Sequence, residues 1–231
     1  MSDKTPSTPQ DIIFLLDSSG SMASMGDEPL QALNAFVSSQ AALNIPGSTF
    51  SLWYFSHELE KVVDDRPLDV VGEVKRYNPG GMTALFDAMG TAISTKLEKE
   101  QVRNVVCVTL TDGEENASQR YTSADIRELV KKAEDEYNWK FVFLGANQDA
   151  FASGASVGVH TCAQFDCEEG GLEDVVRESS QAIGRFRSGS DTNEISLSSY
   201  QGTSCKRRKA NTSSSTRQEL VRSVSNASPS I

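Results

Sequence analysis

Short β-rich runs alternate with helical patterns along most of this chain, and this alternation restricts its fold more than any other feature. The helical patterns are about 12 to 16 residues long, which is the layout of parallel strands joined by helical crossovers. The first β-rich run, Asp11–Leu16, is apolar after its first residue, as in a central strand covered on both faces. We therefore expect an α/β fold.

The predicted sheet is Rossmann-like, doubly wound and mainly parallel, with six strands and with helices on both faces. Only three residues separate Thr49–Phe55 from Leu59–Val63, too few for a parallel crossover. Leu59–Val63 is therefore expected to be the one antiparallel edge strand. The other predicted strands are Asp11–Leu16, Arg103–Leu110, Lys140–Gly145 and Val159–Cys162. The predicted helices are Pro29–Ala42, Thr83–Leu97, Ser123–Tyr137 with Ser123 as N-cap, Phe151–Val157 and Gly171–Phe186.

The last 44 residues, Ser188–Ile231, differ from the rest of the chain in composition. They contain 13 Ser and 4 Thr, so they offer little apolar surface to offset the entropy cost of ordering. We predict a flexible N-terminus at residues 1–10, a folded domain at 11–187 and a disordered tail at 188–231. The basic run Lys206–Lys209 in that tail is a solubilising charge cluster, a nuclear signal or a contact for an acidic partner, and the sequence leaves these alternatives open.

The charge of the chain excludes several classes of partner. The whole chain carries a net −10 and the tail +3, so the first 187 residues carry −13, which repels nucleic-acid phosphates and anionic lipid surfaces. No apolar run approaches the roughly 20 residues of a membrane span, and the polar N-terminus lacks the apolar segment of a secretory signal. We therefore expect a cytoplasmic protein that binds neither nucleic acid nor membrane; the sequence does not indicate its oligomeric state.

The cysteines do not predict a disulfide framework or a zinc site. Cys107, Cys162, Cys167 and Cys205 are too sparse for a disulfide scaffold and are expected to be reduced thiols. No second cysteine pair or suitably spaced histidine accompanies Cys162 and Cys167, so we do not expect structural zinc there.

Polar residues follow the first strand at the position where open α/β sheets bind ligands. The segment Asp17-Ser18-Ser19-Gly20-Ser21 supplies one carboxylate and two alternate hydroxyls, although by itself it is also typical of an ordinary turn. Gly80-Gly81-Met82-Thr83 precedes the second helix, and Thr111-Asp112-Gly113 follows the fourth strand. If the first and fourth strands are neighbours, all three loops meet in one crevice. The candidate site residues are then Asp17, Ser19, Ser21, Thr83 and Asp112.

These five side chains offer oxygen donors only, and their chemistry indicates which ion would suit them. Two carboxylates and three hydroxyls are hard ligands without thiolate or imidazole, which favours Mg²⁺, or else Mn²⁺ or Ca²⁺, over zinc. Hydroxyls together with waters held by the aspartates would satisfy most of an octahedral shell and leave one position open.

In this combination of motifs the chain resembles the von Willebrand factor A domain family over roughly Asp11 to Phe186. The family's metal-ion-dependent adhesion site has the pattern Asp-x-Ser-x-Ser, then a separate Thr, then a separate Asp that usually precedes Gly, and all five positions are present here in that order. The resemblance implies that Ser19 and Ser21 bind the metal directly, Thr83 directly or through water, and Asp17 and Asp112 mainly through water. It also implies that an Asp or Glu of a protein partner fills the last position, without catalysis.

Neighbouring polar residues are weaker candidates. Asp87 is one helical turn beyond Thr83 and is expected either to hold a water or the Ser19 loop beside the site, or to be a solvated helix residue. The Thr83 hydroxyl is expected to be exposed at the crevice. Glu114 and Glu115 either border the crevice or are merely solvated. The two histidines, His57 and His160, receive no role.

Three other functions compete with this interpretation. A haloacid-dehalogenase-like phosphatase would keep its nucleophile at Asp17 but needs a second Asp two residues on, where this chain has Ser19. A nucleotide-binding module would need a glycine-rich phosphate loop, and neither G-x-x-x-x-G-K-[ST] nor G-x-G-x-x-G follows the first strand. A substrate adapter for an AAA-type ATPase is a narrower form of the interaction module, and no motif identifies such a partner.

Overall fold

The computed structural model describes residues 9–99, 104–146, 150–166, 170–190 and 194–197. All of them fall within the unit Met1–Gln201, and residues 202–231, with the basic run Lys206–Lys209, lie outside the described residues. Within the described ranges, no helix combines the length and the apolar character that a membrane span requires.

The described strands form one mixed sheet in the order β3-β2-β1-β4-β5-β6. β1 pairs in parallel with both β2 and β4, so the strand order reverses between β1 and β4. β2 and β3 are antiparallel, and the other neighbouring pairs are parallel. The predicted fold class is therefore confirmed, with its single antiparallel edge strand. The strand bounds are β1 Asp11–Asp17, β2 Thr49–Phe55, β3 Leu59–Pro67, β4 Val105–Thr111, β5 Lys140–Ala146 and β6 Cys162–Phe165.

The prediction of the last strand is wrong in position: Val159–Cys162 was expected, but β6 begins at Cys162. The backbone N–H of Val159 donates to the carbonyl of Gly154 at 2.8 Å, and Gly158 has a φ of +83°. This segment therefore forms the turn that ends the preceding helix. Val159 is buried in the core without pairing in the sheet, which explains its apolar character.

Helices cover both faces of the sheet. The prediction of Ser123 as N-cap of the third helix is wrong, because Thr122 accepts from the backbone N–H of Asp125 while the Asp125 carboxylate accepts from Thr122. The second helix begins two residues later than predicted, at Leu85. The helix bounds are α1 Glu28–Ala41, α2 Leu85–Leu97, α3 Ser123–Tyr137, α4 Ala150–Ser156 and α5 Gly171–Arg187, with short 3-10 helices at Gly20–Met25 and Leu68–Val70.

Alternate residues of β1 enter two separate cores, as expected of a central strand. Ile12, Phe14 and Leu16 pack with residues of α1 and α5 on one face. Ile13 and Leu15 pack with residues of α2, α3 and α4 on the other. Because β1 is held from both sides, the position of its carboxyl end is fixed.

The packed part of the chain continues past the predicted boundary at Arg187. Ile195 is only 4% exposed and belongs to the core on the α1 and α5 face, and Leu197 packs against the same core. The predicted tail therefore includes residues that belong to the domain. Apart from 188–190 and 194–197, the tail lies outside the described residues.

Candidate functional site

Three loops meet at the carboxyl edge of the sheet, beside the point where the strand order reverses. The loop after β1 and the loop before α2 are joined by two backbone hydrogen bonds, from Gly80 N–H to Ser18 O at 2.7 Å and from Gly20 N–H to Gly81 O at 3.0 Å. The third loop follows β4, which is the direct neighbour of β1. This edge is the usual place for ligands in open α/β sheets.

Asp17 is the last residue of β1 and has no exposed surface. One carboxylate oxygen accepts from the backbone N–H of Ser19 at 2.7 Å, and the other accepts from the Thr111 hydroxyl at 2.6 Å. Burial, with a smaller contribution from the charge of Asp112, raises the pKa of Asp17 to about 6 against the lowering effect of these hydrogen bonds. A carboxylate is thus held in a place where its own ionised form is disfavoured.

The hydroxyls of the first loop connect Asp17 to Asp112. Ser19 Oγ and Ser21 Oγ lie 3.1 Å apart, and Ser21 donates to Asp112 Oδ1 at 2.6 Å. Burial also raises the pKa of Asp112, while the bond from Ser21 lowers it. In the described part of the chain, no Lys, Arg or His forms an ion pair with Asp17 or Asp112.

Residues of the third loop hold the backbone of Thr83 by hydrogen bonds. Its N–H donates to Asn116 Oδ1 at 2.9 Å, and its carbonyl accepts from the N–H groups of Asn116 and Ala117 at 3.0 and 3.1 Å. The expectation that Thr83 is exposed is wrong: the residue is 3% exposed, because the loop after β4 covers it.

Gly113 leaves a space between the hydroxyls of two different loops. A Cβ placed on Gly113 would lie 3.2 Å from Thr83 Oγ1 and 3.6 Å from Ser21 Oγ. Thr83 and Ser21 thus border one small cradle, and Ser21 connects it to Ser19 and Asp112, while Asp17 joins the cluster through the backbone N–H of Ser19. A side chain at residue 113 would occupy part of it.

Asp87 binds the segment before α3, whereas one expectation was that it holds the Ser19 loop. Its carboxylate accepts from the backbone N–H groups of Gln119, Arg120 and Tyr121 at 2.9 to 3.0 Å, and so holds the segment before α3. These three bonds and the charge of Arg120 outweigh burial and lower the pKa of Asp87. The structure places Asp87 on this segment and not on the Ser19 loop.

Glu115 is half-buried and accepts hydrogen bonds from two elements. It accepts from the N–H of Phe86 at 2.9 Å, and also from the N–H groups of Ala117 and Ser118 at 2.9 and 2.7 Å. Phe86 is in the first turn of α2, so Glu115 ties the start of this helix to the third loop. Glu114 is exposed.

Sequence reasoning missed several supporting residues. Thr111 stands inside the quoted Thr-Asp-Gly motif, so its position directly after an apolar run was a usable signal for its contact with Asp17. Tyr77 donates to the backbone carbonyl of Asp17, and Asn116 binds Thr83, but both contacts join distant segments. No local pattern marks either residue.

The remaining candidate ligands lie elsewhere. The described residues include no group of three or more His, Cys, Asp or Glu side chains that could hold a metal ion, so the oxygen cluster depends on its hydroxyls. Cys107 and Cys162 are free and buried, while Cys167 and Cys205 lie outside the described residues. His57 is exposed with its ring against Gly81, and His160 is exposed.

A cavity of about 550 Å³ lies apart from the three loops, between α1 and α5. Phe36, Leu43, Val176 and Gly184 line it together with polar side chains of the same two helices. None of the five predicted site residues lines this cavity. The oxygen cluster of the candidate site is therefore separate from this cavity.

Comparison with known proteins places the fold. Residues 11–155 match the family model of the von Willebrand factor type A domain. Among curated proteins, no relative matches the chain.

Several solved structures resemble the chain. Proximal thread matrix protein 1 from the mussel byssus has a TM-score of 0.60 and 16% identity, over 79% of this chain and 47% of that one. The ArnB paralog VWA2 from Sulfolobus acidocaldarius has a TM-score of 0.53 and 19% identity, over 76% of this chain and 46% of that one. The vWF domain of the type V pili tip protein Mfa5 from Porphyromonas gingivalis has a TM-score of 0.59 and 12% identity, over 78% and 96%. These likenesses show the fold, and the chain spans about half the length of the first two proteins.

Proposed function

Because the chain belongs to the von Willebrand factor type A family, whose domains are generally protein-interaction modules, we propose that it binds a protein partner through a divalent cation. The cation is Mg²⁺, or else Mn²⁺ or Ca²⁺, and the partner contributes an Asp or Glu side chain. The site residues are Asp17, Ser19, Ser21, Thr83 and Asp112.

The cradle beside Gly113 is the observation that carries this proposal. Hydroxyls from two loops face the space that a Cβ at this position would fill, and Asp112 lies within hydrogen-bond distance of one of them. Two carboxylates with raised pKa values stand next to it, without a cationic partner in the described residues. Oxygen donors with unbalanced negative charge suit a hard cation.

The roles of the five residues are those that the resemblance to the family's adhesion site implies. Ser19 and Ser21 would contact the cation directly and Thr83 directly or through water, while Asp17 and Asp112 would supply charge and hold water. When bound, the cation supplies a positive charge that attracts an outside carboxylate, because its direct ligands from this chain are mostly neutral. The partner surface around its acidic residue should be neutral or basic, since the first 187 residues carry a net −13.

The phosphatase alternative loses support from the burial of Asp17. A nucleophilic carboxylate must reach its substrate, whereas Asp17 has no exposed surface and both of its oxygens accept hydrogen bonds. Ser19 also stands where that chemistry needs an acid. Assignment as an adapter for an AAA-type ATPase stays a prediction.

Titration calorimetry with Mg²⁺ tests the proposal on the purified chain. The wild type should bind Mg²⁺ weakly, Ser19→Ala and Asp17→Ala should abolish binding, and Gly113→Ala should weaken it at least about tenfold by filling the cradle. Gly80→Ala is the matched control, because a Cβ there meets nothing within 4 Å. Undiminished Mg²⁺ affinity in Ser19→Ala, Asp17→Ala and Gly113→Ala, with unchanged melting temperatures, would place the ion elsewhere.

A further inference from the structure

Met82 is a large apolar side chain that stands exposed beside the candidate site. It directly precedes the buried Thr83 and is 58% exposed. The other exposed large hydrophobic residues of the described chain are Val70 and Phe151. Val70 lies shortly after Pro67, which pairs with the first residue of β2, so it is at the opposite edge of the sheet.

The backbone on both sides of Met82 is held in place. Gly81 accepts a hydrogen bond from Gly20, and the N–H of Thr83 donates to Asn116. Gly81 also has a φ of +86°, and a Cβ there would overlap the His57 ring. Met82 is therefore presented on a fixed loop, and binding against it requires no ordering of its backbone.

The surroundings of Met82 carry little charge. The parts of the first two loops nearest the site, residues 18–26 and 78–84, contain no charged side chain; Asp27, Glu73, Lys75 and Arg76 lie farther along these loops. The third loop adds Asp112, which belongs to the site, and the exposed Glu114. Its other two charged side chains are engaged, since Glu115 accepts from backbone N–H groups and Arg120 lies 3.7 Å from the Asp87 carboxylate. An apolar neighbour of the partner's acid finds a compatible surface here, whereas a second acid would be repelled.

We propose that Met82 is a specificity-determining residue, which selects a partner whose acidic residue is flanked by apolar side chains and not by further acids. This inference rests on the proposed function, because it assumes that the partner's carboxylate is held at the site. Met82 would then bury apolar surface against the neighbouring side chain of the partner. Its unbranched, flexible thioether suits contacts of varied shape.

Three immobilised peptides test this inference with the full chain in Mg²⁺. They are Gly-Ser-Leu-Glu-Leu-Ser-Gly, the same peptide with Ser in place of both Leu, and the same peptide with Asp in place of both Leu. We expect the Leu-flanked peptide to bind about fivefold more tightly than the Ser-flanked one, and the Asp-flanked peptide to bind most weakly. A fourth peptide with Gln in place of Glu should not bind, and neither should any peptide in excess chelator.

Met82→Ser should reduce the Leu-to-Ser ratio to about one while leaving the Mg²⁺ affinity and melting temperature unchanged. Val70→Ser is the matched control and should keep the fivefold ratio. If both peptides bind in a Mg²⁺-dependent way but the wild-type ratio is near one, or if Met82→Ser keeps it, the inference about Met82 is overturned and the proposed function stands. If no peptide binds, or if binding persists in chelator or with Gln, the proposed function fails and this inference fails with it.

Discussion

Asp17 is subject to opposing demands from folding and from the proposed binding. Its burial raises its pKa to about 6, so the ionised form is stable only at a cost to the fold. Two hydrogen bonds, from Ser19 and Thr111, orient the carboxylate without neutralising it. A residue that destabilises the fold in its charged state is best explained by a ligand that needs the charge.

Asp17→Asn should therefore stabilise the protein in the absence of divalent cations. The Asn oxygen can still accept from Ser19, and its amide can donate to Thr111, whose own proton can turn to the Gly113 carbonyl at 3.1 Å. We expect a gain of up to about 3 kcal/mol at pH 7, which corresponds to a shift of about two pKa units. Urea denaturation in chelator measures it.

The pH dependence of this gain gives a control. The folded pKa of Asp17 lies above the unfolded value of about 3.9, so between those values the native state binds more protons and wild-type stability rises as the pH falls. The advantage of the Asn variant should be fully present above about pH 7 and disappear near pH 4. A gain that is independent of pH over this range would contradict burial of the charge as its cause.

At the scale of elements, the start of α2 depends on a carboxylate from another loop. Ala84 is the N-cap residue and makes no side-chain hydrogen bond, so the first N–H groups of the helix need outside partners. Glu115 supplies one, at Phe86, and also binds the turn at Ala117 and Ser118. The same turn holds the backbone of Thr83. The helix and the candidate site thus share one support.

Glu115→Gln should weaken both the start of α2 and the candidate metal site. The Gln amide cannot accept hydrogen bonds on both ends, so either Phe86 N–H or the N–H groups of Ala117 and Ser118 lose their acceptor. We expect a loss of about 1–3 kcal/mol of unfolding free energy and a lower Mg²⁺ affinity through displacement of Thr83. Glu114→Gln is the matched control, because Glu114 is exposed. Its unfolding free energy, measured by urea denaturation, should equal that of the wild type. Equal stability of the two variants would remove Glu115 from this role.

The sequence could predict those elements whose pattern is local. β1 and β4 are apolar runs because each is buried on both faces, and the motifs at their ends then meet by topology. The start of β6 could not be predicted from the sequence, because Val159 is apolar through its packing in the core and does not pair with a strand. Contacts such as Tyr77 with Asp17 join segments 60 residues apart and depend on loop paths that no periodicity encodes.

At the scale of the whole molecule, the carboxylates at the two edges of the sheet differ in whether a lysine pairs with them. At the amino edge, Lys96 is buried between Asp11 and Asp65, at 2.9 and 2.6 Å. Burial raises the pKa of Asp65, but hydrogen bonds from Lys96 and Lys99 outweigh it and hold the pKa well below its usual range. At the carboxyl edge, Asp17 has no such partner among the described residues. Of these carboxylates, the ones paired with Lys96 serve the fold, whereas Asp17 marks the edge where binding is proposed.

The extent of the folded domain leads to a prediction about truncation. The sequence placed its end at Arg187 because the residues that follow are rich in Ser and Thr, but composition averages over a segment and cannot detect one buried side chain. Ile195 returns to the core on the face of α1 and α5, and Thr161 Oγ1 donates to its carbonyl at 3.5 Å. The return of the chain therefore stabilises the region that leads into β6.

Truncation after Arg187 should lower the unfolding free energy by about 2–4 kcal/mol, since it exposes the core surface that Ile195 covers. For a domain of this size the melting temperature should fall by several degrees. Truncation after Leu197 should leave it unchanged, because the composition of the remaining tail cannot supply a core. Ile195→Ala in the full chain should reproduce most of the loss, which separates burial of this side chain from other effects of shortening. Calorimetric melting of the full chain and the three variants tests this. Equal melting temperatures for the two truncations would show that Ile195 contributes nothing, and a loss after Leu197 would show that residues 198–231 also stabilise the domain.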